Sequence, residues 1–402
     1  MGGAESAQEA RSLCGVTDTL DLLDLDADLP DEDRLLRDTV RKFADDRLRP
    51  HIRDWYEEGT LPARELAREI GSLGLLGMHL HGYGCAGSTA TQYGIACAEV
   101  EAVDSGLRSL VSVQGSLAMS AIRAFGSEEH KQRWLPAMAR GEAIGCFGLT
   151  EPDSGSDPGS MRTRATRAGS DWVLHGTKMW ITNGSIADVA VVWARTDEGV
   201  RGFLVEAGTP GFTTQDVHHK LSLRASITSS LSFDDVRLPA SAQLPEAQGL
   251  RAPLSCLTEA RYGIIWGVTG AARDALASTV DFATSRTQFG KPIGAFQLTQ
   301  RKLAEMAVSL TQARLTAQRL GVLKDAGRIT PTQVSFGKFA NVSAALDICR
   351  EARSILGGSG ITTEYPALRH ALNLETVYTY EGTHEVHTLV VGQALTGLDA
   401  FR

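Results

Sequence analysis

The sequence predicts an α+β chain, mostly helical, in which a small β domain separates two helical regions. Three regions of different texture predict it. Helical periodicity runs from Asp31 to about residue 145, β-rich runs broken by turn signals fill 146–250, and longer helical stripes return from Arg251. A chain of 402 residues, 43% of them hydrophobic, can bury a large core and suggests two or three domains of roughly 100–200 residues each. The expected division is an acidic N-terminal tail at 1–30, a helical domain at 31–145, a β domain at 146–250 and a helical bundle at 251–402.

In the first helical region Leu36, Val40, Phe43 and Ala44 recur at three- and four-residue steps, and Pro50 closes the stretch. In the middle region Asp188–Arg195 reads as a strand. Asp197-Glu198-Gly199 turns it back into a second strand at Gly202–Glu206, and Leu231–Val236 forms another strand that Pro239 ends. No useful helix fits there. In the last region Leu303, Met306, Leu310, Ala313, Ala317 and Leu320 mark one face of a long helix. Thr330-Pro331-x-Gln333 opens the next as a capping box with proline at the first helical position. Phe339, Val342, Leu346 and Cys349 give its apolar face, and Gly357-Gly358 ends it.

A formal charge of -8 argues against a surface built for nucleic acid or anionic membranes. No apolar run approaches the roughly 20 residues that span a bilayer. Residues 1–33 carry ten acids and one base, Arg11, unlike a transit peptide, and no secretory apolar segment is present. The expected location is the cytoplasm. The six cysteines are scattered without a C-x-x-C pair, as suits buried thiols in a reducing compartment.

Five motifs carry candidate chemistry. The glycine cluster Gly357-Gly358-Ser359-Gly360 follows a helical stripe, not a strand, so nicotinamide binding on a Rossmann turn is not expected, although a pyrophosphate could approach this backbone closely. Cys146–Asp157 concentrates glycines and hydroxyls that can hold phosphate or ring-edge acceptors, or form a plain loop. Lys178–Asn183 sets Trp180 beside Ile181 and Thr182, a pairing that can cover a planar ring and bond its edge. Arg286-Thr-Gln-Phe289 offers a phosphate contact with an aromatic neighbour, or a simple helix stop. Tyr380-Glu381-Gly-Thr-His-Glu-Val-His387 contains a carboxylate in an unusual setting. Its histidines stand three apart instead of the four of a zincin, so no metal is expected. Glu381 could equally be a solvated carboxylate at a helix start.

In this order the five motifs resemble the acyl-CoA dehydrogenase family, over nearly the whole chain from Asp31 to Arg402. The resemblance implies the acyl-CoA dehydrogenase fold: an N-terminal helical domain, a central β-barrel-like domain and a C-terminal four-helix bundle. It also implies a homotetramer, an acyl-CoA substrate, an electron-transferring flavoprotein as acceptor, and FAD held between bundle and β domain and across a subunit contact. Glu381 then matches the catalytic base. Phe147, Gly148, Leu149, Thr150, Gly155 and Ser156 match the flavin loop, with Trp180, Ile181 and Thr182. Arg286, with Phe289 beside it, and Gln297 match contacts from a neighbouring subunit, and Gly357, Gly358, Thr383 and Glu385 complete the dinucleotide site. Ser156 and Arg261 match substrate-side positions.

Within the family, Glu101–Gln114 is similar to the glutaryl-CoA dehydrogenases. There Arg108 and Ser109 match residues that hold the substrate's far carboxylate, Glu101 matches a residue that tunes them, and Val113, Thr182 and Tyr380 match the lining of the same end. By spacing alone, Arg108 could instead pair with Asp104 one helical turn before it. Gly115 and Asn183-Gly-Ser185 depart from the family pattern. The implied reaction is α,β-dehydrogenation of glutaryl-CoA followed by loss of CO2 to give crotonyl-CoA. Alternatives are a non-decarboxylating dehydrogenase of another thioester, a flavin monooxygenase, and an inactive helical binding protein.

Overall fold

The computed structural model describes residues 20–401, and no helix among them is long and apolar enough to cross a membrane. Helix α1 (Asp31–Phe43) carries Asp31, Glu32 and Asp33 in its first turn and Arg41 and Lys42 in its last, which complements its dipole. A capping box of Thr89 and Gln92 opens α2 (Ala90–Glu101), and α3 (Ser105–Ser112) follows after a short break. From Tyr93 to Ile122 every residue is buried, so α2, α3 and the helical turns after them form the centre of the molecule.

Part of the expected acidic tail is fastened down. Asp26 accepts from Arg37 at 2.7 Å and from Arg314 at 2.5 Å, and Asp21 lies 3.1 Å from Arg314. Arginines on two separate helices supply the counter-charges that composition alone left unassigned. Arg11, Cys14 and Asp18 lie outside the described residues.

The middle region is one seven-stranded sheet. Its strands are β1 (Gly145–Gly148), β2 (Arg164–Ala168), β3 (Asp171–Thr182), β4 (Val189–Thr196), β5 (Gly199–Glu206), β6 (Phe212–Asp216) and β7 (Thr228–Leu238). They run in the order β1-β4-β2-β3-β7-β6, with β5 also paired to β4. Strand β4 is buried on both faces, which explains its unbroken apolar run. Val189, Val191 and Trp193 pack towards the N-terminal helices, while Ala190, Val192 and Ala194 pack against Trp172, Phe203 and Phe233.

The expected hairpin is β4–β5, in continuous antiparallel register from Val189↔Glu206 to Thr196↔Gly199. In β3 the pairing with β7 shifts between Lys178 and Ile181, and Trp180 takes φ 63°. This bulge breaks the alternation. Lys178 and Ile181 both point inward, and Trp180 is turned out to 57% exposure.

The last region holds α4 (Arg251–Ser285), α5 (Gln297–Asp325), α6 (Pro331–Ile355), α7 (Pro366–Thr379) and α8 (His384–Thr396). Helices α4 to α7 share one core, in which Ile264, Val268 and Leu276 meet Met306, Leu310, Leu346 and Leu374. The Thr330–Gln333 capping box forms as expected. After α6 the glycines lead into a short 3-10 turn, Gly357–Ile361.

Candidate active site

Five elements meet at one buried polar cluster. Glu101 ends α2, Arg108 and Ser109 sit in α3, Arg261 in α4, Lys338 in α6, and Tyr380-Glu381-Gly382 forms the turn from α7 to α8. Arg108 is 1% exposed and Glu101 0%, and Arg108 Nε donates to Glu101 Oε2 at 2.6 Å. Arg108 Nη2 donates to the Tyr380 hydroxyl, which lies 3.4 Å from Ser109 Oγ. Ser105 Oγ donates to the other Glu101 oxygen at 2.7 Å. Glu101 therefore holds one edge of the guanidinium, while Nη1 makes no bond to the described residues.

The pairing of Arg108 with Asp104 does not form. Asp104 caps α3 by accepting from Gly106 N at 2.7 Å, and its other oxygen accepts from Arg369 at 2.5 Å and Asn373 at 2.8 Å. Two α7 side chains thus claim the acid that spacing had offered to Arg108. Val113, one turn past Ser109 on the same buried helix, extends this wall.

Close packing keeps the pair dry. A Cβ at Gly267 would lie 2.0 Å from Glu101 Oε2, so α4 can cross this ion pair only with glycine there. Gly115 is constrained in the same way, since a side chain there would start 2.8 Å from the Gly77 nitrogen.

Glu381 is not a solvated helix-start carboxylate. Its Oε2 is buried without a hydrogen-bond partner, and its backbone takes φ 54°, a conformation that costs energy for any residue but glycine. Burial raises its pKa, and the nearby Arg108, Arg261 and Lys338 cations pull the other way. Burial also pushes the Tyr380 hydroxyl up to about 12 and brings the Lys338 ammonium down to about 7. Arg261 Nε donates to the Glu381 carbonyl at 2.6 Å. The histidines of the last motif have other surroundings. His384 stacks between Phe339 and Tyr378, and His387 lies beneath Gly382.

Lys338 was not among the residues singled out from sequence. Its Nζ donates to the carbonyls of Tyr380 and Gly382, each at 2.8 Å. The signal was a lysine in phase with the buried stripe of α6, alongside Val334, Asn341 and Ala345.

The remaining expected residues line a second wall. β1 carries Phe147 and Gly148 into Leu149 and Thr150, and the Thr150 carbonyl accepts from Met179 N at 2.9 Å. Beneath it, Lys178 Nζ donates to Leu149 O at 3.0 Å and to Glu151 at 2.8 Å. Glu151 also accepts the amides of Arg162 and Thr163. Phe147 and Ile181 do not offer their side chains to a ligand. Phe147 packs against Trp193, and Ile181 lies in the sheet core, so only their backbone is available.

Thr182 is half-buried, Gly155 and Ser156 are exposed, and Thr383 caps α8 with the exposed Glu385 in its first turn. Arg286, Phe289 and Gln297 are all exposed. Phe289 is 94% exposed and meets Phe296 edge-on, with 6.3 Å between ring centroids.

These residues fit a flavin dinucleotide. The bulge presents the flat Trp180 indole, and a Cβ at Gly155, Gly357 or Gly358 would meet nothing within 4 Å, which leaves open backbone for a pyrophosphate.

Three family models match: "Acyl-CoA dehydrogenase, N-terminal domain" over 30–142, "middle domain" over 146–236 and "C-terminal domain" over 247–396. The mitochondrial short-chain specific acyl-CoA dehydrogenase of Homo sapiens is 38% identical over 371 residues, 90% of each chain. A glutaryl-CoA dehydrogenase from Mycobacterium smegmatis, solved in complex with FADH2, superposes with a TM-score of 0.94 at 61% identity, covering 95% of this chain and 99% of that one. The butyryl-CoA dehydrogenase of Megasphaera elsdenii superposes with a TM-score of 0.87 at 33% identity, over 91% of this chain and 98% of that one. The chain belongs to the acyl-CoA dehydrogenase family and is a FAD-dependent enzyme.

Proposed function

We propose that this acyl-CoA dehydrogenase oxidises glutaryl-CoA and releases CO2 to give crotonyl-CoA. The observation that carries the reading is Arg108, buried beside Glu381, with Glu101 on one edge and Tyr380 and Ser109 next to it. A site for uncharged acyl chains has no use for a desolvated guanidinium, whereas a chain ending in carboxylate gives it a partner.

In the proposed reaction Arg108 and Ser109 hold the far carboxylate, so that the acyl chain lies along Tyr380 and Val113. Glu381 takes the α-proton, and its burial raises its basicity for that task. FAD, when bound, would supply the acceptor for the β-hydride. Loss of CO2 from the unsaturated acid leaves a dienolate stabilised by the thioester, and protonated Glu381 returns its proton at the far carbon. Because Glu101 already shares Arg108, the carboxylate is gripped without being locked, and CO2 can leave. Trp180, Thr182, Thr150 and the open backbone at Gly357-Gly358 are the proposed flavin contacts. Arg286, Phe289 and Gln297, exposed in their own chain, are proposed to reach the flavin of a neighbouring subunit in a homotetramer. An electron-transferring flavoprotein is the proposed acceptor.

Turnover of glutaryl-CoA with an artificial acceptor under anaerobic conditions tests the reading by product mass. Crotonyl-CoA with one CO2 per turnover is expected, and glutaconyl-CoA as end product rejects decarboxylation. The short-chain and butyryl-CoA relatives favour a second reading, dehydrogenation of an uncharged short acyl-CoA. In that case glutaryl-CoA would leave the flavin oxidised.

A further inference from the structure

Three consecutive carbonyls at the Glu381 turn are held by two cations from two different helices. Tyr380 O and Gly382 O both accept from Lys338 Nζ of α6 at 2.8 Å, and Glu381 O accepts from Arg261 Nε of α4 at 2.6 Å. Lys338 is 2% exposed, and among the described residues no carboxylate lies within hydrogen-bonding distance of it, so its hydrogen bonds there go to backbone alone. Burying an ammonium in this way is costly. The turn it touches holds Glu381 at φ 54°, next to Gly382 at φ 93°. The glycine adopts its conformation freely, whereas a glutamate at positive φ is strained and persists where its surroundings hold it.

The geometry points to Lys338 as a positioning residue that fixes the Glu381 backbone for proton transfer. All peptide bonds here are trans, so each C=O points opposite to the next N–H. With Tyr380 O drawn to Lys338, the Glu381 N–H is turned away from α6, and it donates to no backbone acceptor among the described residues. With Gly382 O drawn to the same nitrogen, the turn closes around Lys338, and Glu381 Oε2 is left without a hydrogen-bond partner among the described residues. Without Lys338, the turn loses the contact that ties residue 380 to residue 382, and Glu381 can relax to an ordinary negative φ that re-aims both its carboxylate and its amide. Lys338 also faces charged and titratable groups from each neighbouring element: Arg261 of α4, Arg108 of α3, Glu381 and Tyr380 of the turn, and His384 and His387 of α8.

The catalytic part of this inference rests on Glu381 being the base, so Lys338→Met is compared with Glu381→Gln, both as FAD-loaded holoenzymes. Misplacing a catalytic group by about 1 Å costs on the order of 10²-fold. Lys338→Met is therefore expected to bind FAD and thioester normally while kcat falls by about that factor. The acid limb of its pH profile should move to higher pH, because the Lys338 cation lowers the Glu381 pKa. In Lys338→Ala, added methylammonium is expected to restore part of the loss by occupying the vacated site. A crystal structure of the Lys338→Met holoenzyme should find Glu381 at negative φ, a result independent of which residue is the base.

Glu381 unchanged at positive φ in that structure, or wild-type kcat with a wild-type acid limb, overturns the proposal. If Lys338→Met does not fold, Lys338→Gln decides. Its amide can still donate to a carbonyl without the charge, so a smaller loss in the same direction is expected, and wild-type behaviour overturns the proposal. Activity surviving in Glu381→Gln would reject the base and leave the backbone result standing.

Discussion

Two of the buried cation–carboxylate pairs among the described residues, Lys178–Glu151 and Arg108–Glu101, differ in what they leave over. Under the 149–151 loop, Lys178 is shared by Glu151 and Leu149 O, and Glu151 fills its remaining capacity with the amides of Arg162 and Thr163. In α3, Arg108 spends Nε on Glu101 and Nη2 on Tyr380, and its last nitrogen has no partner among the described residues. Beside it, Glu381 keeps one oxygen buried without a hydrogen-bond partner among the described residues. Burial is common to both regions, and so is the desolvation cost. A saturated pair can only hold a fold together. An unsaturated one retains a capacity that a ligand can complete.

The largest effect that separates the two regions is expected at Glu381. Glu381→Gln removes the proton acceptor while keeping shape, so flavin reduction should slow by about 10²–10⁴-fold with FAD retained, as read by stopped-flow absorbance. On the saturated side, Glu151→Gln leaves Lys178 as an uncompensated buried charge. It should cost about 3–5 kcal/mol of stability in denaturant unfolding and leave substrate preference unaltered. A marked change of preference there would break the comparison. Arg108→Met should lower kcat/KM for glutaryl-CoA by roughly 10–150-fold, the equivalent of about 1.5–3 kcal/mol for a charge-assisted contact, with uncharged acyl-CoAs little affected. Equal losses on both substrates would make Arg108 structural, like Lys178.

The smallest effect is one of position on the pH axis. The base must be ionised to act, and burial raises its pKa, so activity should fall with decreasing pH along a limb lying above the ordinary carboxylate range. A limb at an ordinary carboxylate pKa would mean that Glu381 is solvated when it works.

The comparison also marks what sequence could and could not convey. Helical stripes, the β4–β5 hairpin and the Thr330 cap were legible because each is written in neighbouring residues, as a period, a turn or a capping box. The Arg108 partner was open between Asp104 and Glu101 because both lie nearby in sequence. Arg369 and Asn373, more than 250 residues away, decide it by claiming Asp104. Trp180 was legible as a candidate plate, but the bulge that exposes it depends on the register of β3 against β7. Ile181 and Phe147, matched to the flavin loop by resemblance, pack their side chains inward and keep only backbone for that role, since the side chain's direction follows the sheet and not the motif. Lys338 carried one sequence signal, its phase with the buried stripe of α6, but its role shows only once the turn it holds is in view.

Anaerobic bleaching of the bound flavin by glutaryl-CoA and by butyryl-CoA, in the wild type and in Arg108→Met, tests the central claim that the spare edge of Arg108 selects the substrate. The account predicts that wild-type flavin bleaches much faster with glutaryl-CoA and that Arg108→Met loses this advantage while its rate with butyryl-CoA stays near that of the wild type. Faster bleaching by butyryl-CoA in the wild type, or a preference for glutaryl-CoA that survives in Arg108→Met, would contradict it.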